Sequence, residues 1–270
     1  MLPSSFWIVL FFAITLLVAF VIREFRLRTR RQKVLAHCFP EEWVGILERN
    51  VPLYRSMLND MRQDFQNKVH RFIEHKKFIP CGGLDDVTDE MKVTIAGNAC
   101  MLVLNRDITY PFKRVYSVLV YPTSFFNSRD EEEELMMGEA WSGGSVVVAW
   151  DNARKTARDL RDGKNLVLHE FAHQLDLEHG GEADGRPVLE GYQHRTWARV
   201  LGSEFQKLQE ATARGKRTAL DSYGADDPAE FFAVATEAFF ERPDRLLRDY
   251  PDLYSELRSY YKVDPVRWRR

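Results

Sequence analysis

Cysteine is scarce in this chain. The three present, Cys38, Cys81 and Cys100, form no C-x-x-C pair. An odd count at wide spacing argues against a disulfide framework and for reduced thiols in a reducing compartment. An excess of positive charge is also missing: 38 Lys and Arg face 40 Asp and Glu, for a net charge of −2. Nothing in that balance points to a nucleic-acid-binding protein, which would normally carry a concentrated basic patch. Internal repeats and low-complexity tracts are absent, and no methionine follows Met137.

Long apolar runs are absent too, with one exception. Residues 6–22 read FWIVLFFAITLLVAFVI, with Thr15 the only polar residue. Arg23, Arg26, Arg28, Arg30, Arg31 and Lys33 follow, and no basic residue precedes the run. A secretory leader carries its positive charge before the apolar core and a small-residue cleavage site after it, the reverse of this order. The run is just long enough to span a bilayer, and flanking positive charge stays on the cytoplasmic side. The expectation is a single transmembrane anchor over residues 1–22, a basic juxtamembrane linker over 23–40, and a main domain over 41–270 facing the cytoplasm.

In that domain helical spacing dominates. Tyr54, Leu58, Met61, Phe65, Val69, Phe72 and Ile73 predict a long amphipathic helix over 54–78, with His70 and His75 on its surface. Cys81-Gly82-Gly83 breaks it, and a helix rich in small residues is expected within 88–105. VYSVLVY (115–121) and SVVVAW (145–150) read as buried strands. The acidic run 130–134 reads as a solvated loop, and 155–162 as an exposed helix. Further helices are expected over 165–178, 190–212, 227–241 and 243–262. The fold class is α+β: a mainly helical domain with a small β-sheet.

The chemistry concentrates in His169-Glu170-Phe171-Ala172-His173. Residues four apart share one helix face, so both imidazoles can reach a single ion. Glu170 falls beside the ion, placed to hold a water and take its proton. The flanks Leu166, Val167, Leu168, Phe171, Ala172 and Leu175 are apolar. Polar groups buried in such a helix need partners, and metal coordination supplies them.

A catalytic zinc needs a third protein ligand and an open position. His179 has the histidine spacing of the pattern H-E-x-x-H-x-x-G-x-x-H. Asp176 stands where that pattern turns on glycine, however, and the methionine turn it requires is missing. Glu230 and Glu237 lie seven apart on one face of an otherwise apolar helix. Asp227, Pro228 and Glu230 also read as a helix start with a capping box, a competing use for Glu230. The residues alone leave the two glutamates tied.

The segments NLVLHEFAHQLD (165–176), ALDSYGADDPAEFFAVATEAFF (219–240) and EAWSGGSVVVAWDNA (139–153) resemble the Mlc titration factor A family of zinc-dependent peptidases. The similarity runs from about residue 35 to 262. It implies a zincin-like domain of gluzincin type, with Zn2+ held by His169, His173 and Glu230, and Glu237 in a supporting place. Glu170 is the implied general base, and Tyr223 the implied donor to the oxyanion. Val146–Trp150 is a candidate edge for aligning a peptide substrate, and Asp176 a candidate partner for a ligand histidine. The function implied is a zinc metallopeptidase acting on a peptide or protein; its expected place at a bacterial inner membrane comes from residues 6–22 and not from the resemblance. The alternative is a regulatory protein that sequesters a transcriptional repressor, the partner from which the family takes its name.

Overall fold

The computed structural model describes Phe6 and residues 39–106, 111–126, 135–136, 138–141, 144–160, 162–179, 181–189 and 193–269. The chain divides into two units, Met1–Pro40 and Glu41–Arg270. The expected membrane segment lies, apart from Phe6, outside the described residues, as does the acidic run 130–134. Among the described residues no helix is long and apolar enough to cross a membrane.

The second unit is mainly helical. Its helices are α1 (Glu41–Asn50), α2 (Asn59–His75), α3 (Asp89–Met101), α4 (Trp150–Arg158), α5 (Leu166–Asp176), α6 (Gln193–Ala213), α7 (Pro228–Glu241), α8 (Pro243–Asp249) and α9 (Pro251–Tyr261). The strands are β1 (Lys77–Pro80), β2 (Ser117–Tyr121), β3 (Phe125–Phe126), β4 (Leu135–Met136), β5 (Gly138–Trp141) and β6 (Ser145–Ala149). Among the described residues these six strands and nine α-helices make the expected α+β class concrete, with β1, β3, β4 and β5 as additions to the strands read from sequence.

The main sheet has the order β1-β2-β6-β5. β1, β2 and β6 run parallel, with Ser117 opposite both Lys77 and Ser145. β5 joins β6 antiparallel, with Gly138 opposite Val148. β3 and β4 form a separate antiparallel ribbon. The expected edge at Val146–Trp150 is therefore corrected. β6 lies inside the sheet, and Val146, Val147, Val148 and Ala149 are all buried, as four successive apolar residues require of a strand covered on both faces. β5 is the edge on that side. Trp150 belongs to α4, which begins earlier than 155 and is half-buried, not exposed: Trp150, Ala153, Thr156 and Ala157 face inward.

α3 runs through the middle of the unit. Thr88 caps it by accepting the Met91 N–H, and every residue from Val93 to Met101 is buried. Its small side chains let neighbours close in: a Cβ on Gly97 would meet Leu47 and Val51 at 2.8 Å. α5 packs on α3 and α7. Phe171 inserts its ring between Phe112 (centroids 4.8 Å apart) and Phe72 (5.5 Å), so truncating it would cost about 3–5 kcal/mol. α7 is buried nearly all round, from Phe231 to Glu241. Two central helices, each clamped by apolar contacts, thus carry the polar groups described next.

Candidate metal centre

His169 and His173 lie one turn apart on α5, with their Nε2 atoms 3.2 Å from each other. Glu230, in the first turn of α7, reaches both. Its Oε2 is 3.0 Å from His169 Nε2 and its Oε1 is 3.4 Å from His173 Nε2. The three donor atoms lie within 4.8 Å of one another. Local sequence explains the approach. Asp227 Oδ1 accepts the N–H groups of Ala229 (2.7 Å) and Glu230 (2.9 Å), and Pro228 occupies the first helical position. Asp227 alone satisfies the helix start, which leaves the Glu230 carboxylate to turn toward the imidazoles.

Glu237 lies two turns further along α7 and accepts from His169 Nδ1 at 2.8 Å. With the ring proton on Nδ1, Nε2 presents its lone pair toward the Glu230 carboxylate. Glu230 Oε2 is buried and has no hydrogen bond. Two acceptors 3.0 Å apart repel each other unless a positive charge lies between them. Two imidazole nitrogens and one carboxylate oxygen are the donor set of a tetrahedral zinc site with one position left open.

The electrostatics point the same way. Burial works to raise the Glu230 carboxyl, but the adjoining imidazoles of His169 and His173 outweigh it and bring the group down to about 2. Burial works to lower His169, and Glu230 and Glu237 override it, holding the ring well above the ordinary histidine range. An environment that favours a proton on His169 also favours a cation among the three groups. Glu170 is different: burial pushes it up to about 7, against the opposing pull of His169 and His173. It is 5% exposed and stands beside the centre, outside the three-donor group.

The other sequence candidates fall in distinct places. The Tyr223 ring lies 5.9 Å from the His169 ring and is half exposed, so its phenol borders the centre from the solvent side. Asp176 is fully buried, but its Oδ2 accepts the Gly185 N–H at 2.7 Å and its Oδ1 has no hydrogen bond. It thus ties down the following loop and does not hold a histidine ring. His179 directs Nδ1 to the Asp176 carbonyl at 2.5 Å and stays out of the three-donor group. His75 is exposed and His70 partly so, both remote from the centre in sequence and contacts.

The chain matches, over residues 25–262, the family described as glucose-regulated metallo-peptidase M90. It belongs to that family. An uncharacterized protein of Synechocystis sp. is 34% identical over 248 residues, covering 88% of this chain and 89% of that protein. Mlc titration factor A of Pectobacterium atrosepticum is 30% identical over 237 residues, covering 84% and 87%. Its counterpart in Cronobacter sakazakii is 28% identical over 244 residues, covering 84% and 88%. A metallo-peptidase family implies a metal ion. Among the described residues, His169, His173 and Glu230 are the group that could hold one.

Sequence reading passed over several residues around this centre. Asn165 caps α5 and contacts Glu237, Glu241 and Asn98. Lys164 pairs with Asp221 at 2.6 Å, and Asp221 Oδ1 accepts the Tyr223 N–H, so the turn bearing Tyr223 is tied to the start of the histidine helix. An asparagine just before a helix signals a cap. Nothing local signals its distant partners.

Proposed function

We propose that this protein is a zinc-dependent peptidase that hydrolyses peptide bonds. The observation that carries the reading is the convergence of His169, His173 and Glu230, with the buried Glu170 beside them. His169 and His173 supply imidazole Nε2 atoms and Glu230 a carboxylate oxygen. A zinc ion held by them supplies Lewis acidity and lowers the pKa of its water to about 7. Glu170 takes the proton of the attacking water and returns it to the leaving amine. Tyr223 donates a hydrogen bond to the substrate carbonyl oxygen as that oxygen gains charge. As the strand at the end of the sheet, β5 offers backbone groups for pairing with an extended peptide. Residues 6–22 anchor the chain in a bacterial inner membrane, and the basic residues after them keep the catalytic domain in the cytoplasm. Their apolar run, in which Thr15 is the one polar residue, followed by positive charge supports this part of the reading.

The relatives named Mlc titration factor A favour a second reading, in which the domain binds and sequesters a transcriptional repressor. Replacing Glu170 with Gln separates the two. A peptidase keeps its zinc and loses about 10²- to 10⁴-fold in hydrolysis of a peptide library. Undiminished function in that variant, with repressor binding intact, would favour sequestration over catalysis.

A further inference from the structure

Asn165 uses every polar group it has, at 1% exposure. Its backbone N–H donates to Glu237 Oε2 at 2.5 Å, and its side-chain amide donates to Glu241 Oε1 and Asn98 Oδ1, each at 3.0 Å. Its Oδ1 accepts the Leu168 N–H at 3.1 Å, and its carbonyl accepts the N–H of His169 itself at 3.0 Å. A helix cap requires the Oδ1 bond alone. Two of the remaining bonds run to one face of α7, where Glu237 and Glu241 lie one turn apart and both are buried, and a third runs to Asn98 on α3. Glu237 is the acceptor for His169 Nδ1. One residue therefore grips both the backbone of His169 and the carboxylate that orients its ring.

Only asparagine suits this place. Aspartate would keep the cap but lose both amide donors and set a third carboxylate against Glu237 and Glu241. Serine would keep a cap acceptor and the backbone bond to Glu237, but could not span to Glu241 or Asn98.

We infer that Asn165 is a positioning residue for the metal centre: it locks the start of α5 onto the Glu237/Glu241 face of α7, so that His169 is held with Nδ1 on Glu237 and Nε2 toward the metal. The inference rests on the zinc reading above and deepens it. Groups that orient a metal-bound histidine typically matter about 10- to 100-fold for metal affinity.

The test is zinc affinity, measured by competition with a chelator on the full-length chain, alongside thermal unfolding of the metal-free protein. Asn165→Ser is expected to bind zinc about 10- to 100-fold more weakly while remaining folded. Glu241→Gln keeps an acceptor for the Asn165 amide and is expected to stay within about threefold of the unaltered chain, whereas Glu241→Leu falls with Asn165→Ser. The Glu241 pair decides the matter if Asn165→Ser does not fold. Unaltered zinc affinity in Asn165→Ser or Glu241→Leu, with only the unfolding temperature lowered, reduces Asn165 to a helix cap and overturns the inference. Absence of zinc from the unaltered chain overturns the zinc reading itself, and this inference with it.

Discussion

Gly185 lies against Pro228 so closely that a Cβ on the glycine would come within 2.4 Å of the proline carbonyl oxygen. Its φ of +74° is a conformation that side-chain-bearing residues rarely adopt. Its N–H goes to Asp176 at the end of the histidine helix, and its carbonyl accepts from Trp197 Nε1 at 3.0 Å. Pro228 opens α7, two residues before Glu230. The loop after the histidine helix is thus wedged against the start of the helix that brings the third donor.

Gly185→Ala should therefore disturb stability and metal binding together. Strain at such a φ costs about 1–3 kcal/mol, and moving Pro228 shifts Glu230 from the imidazoles. Thermal unfolding with and without a chelator should show a lower melting temperature and a smaller stabilisation by zinc.

Tyr223→Phe should separate catalysis from binding. The ring is half exposed, so its hydroxyl contributes little to folding. Removing a donor to a developing oxyanion costs up to about 10²- to 10³-fold, and partial exposure places the expected loss in kcat at about 10- to 100-fold. KM for a peptide substrate, zinc content and melting temperature should stay near their original values. A loss of zinc in this variant would assign Tyr223 a different role.

The pH dependence of stability should carry the mark of Lys76. Its Nζ donates to the carbonyls of Phe112 (2.6 Å) and Val115 (2.8 Å). Burial lowers it from 10.5 to about 8, against the opposing influence of Cys100. Between these two values the unfolded chain holds a proton that the folded chain has released, so stability rises with pH across that window. The cost of the buried amine is fully present below about pH 8. The gain is at most about 3 kcal/mol. Urea unfolding of the protein and of Lys76→Met at pH 7.5 and pH 10 should show this rise in the first and its loss in the second. Other titrating groups are common to both proteins and cancel in the difference.

Much of the centre was legible because its parts are local. Two histidines four apart need only a helix to share a face, and the apolar flanks of 166–175 say that the helix is buried. The third donor was not legible from spacing. Glu230 and Glu237 share a face of α7, yet about 10 Å of helix rise separates them, and the end that meets the imidazoles depends on how α7 crosses α5. In the fold one glutamate faces each nitrogen of His169. Asn165 shows the same limit more sharply, since its partners Asn98 and Glu241 are 67 and 76 residues away in the chain.

The strands divide similarly. Val146 to Ala149 announce β6 by composition, but the strand's place inside the sheet depends on β5, whose sequence GEAW has no strand signature. β1, with sequence KFIP, is short and ends on proline, and its pairing with β2 joins segments about forty residues apart. The same composition carried the expected strand through Trp150, because an apolar run does not mark where extended backbone gives way to a helix.

The most direct test is metal analysis of the purified full-length chain beside Glu230→Ala, each loaded with zinc and then dialysed against a weak chelator. The account predicts one tightly held zinc ion per unaltered chain, and a loss of at least about 100-fold in affinity when the only carboxylate of the donor set is removed. Equal zinc retention by the two proteins, or none by either, would contradict it.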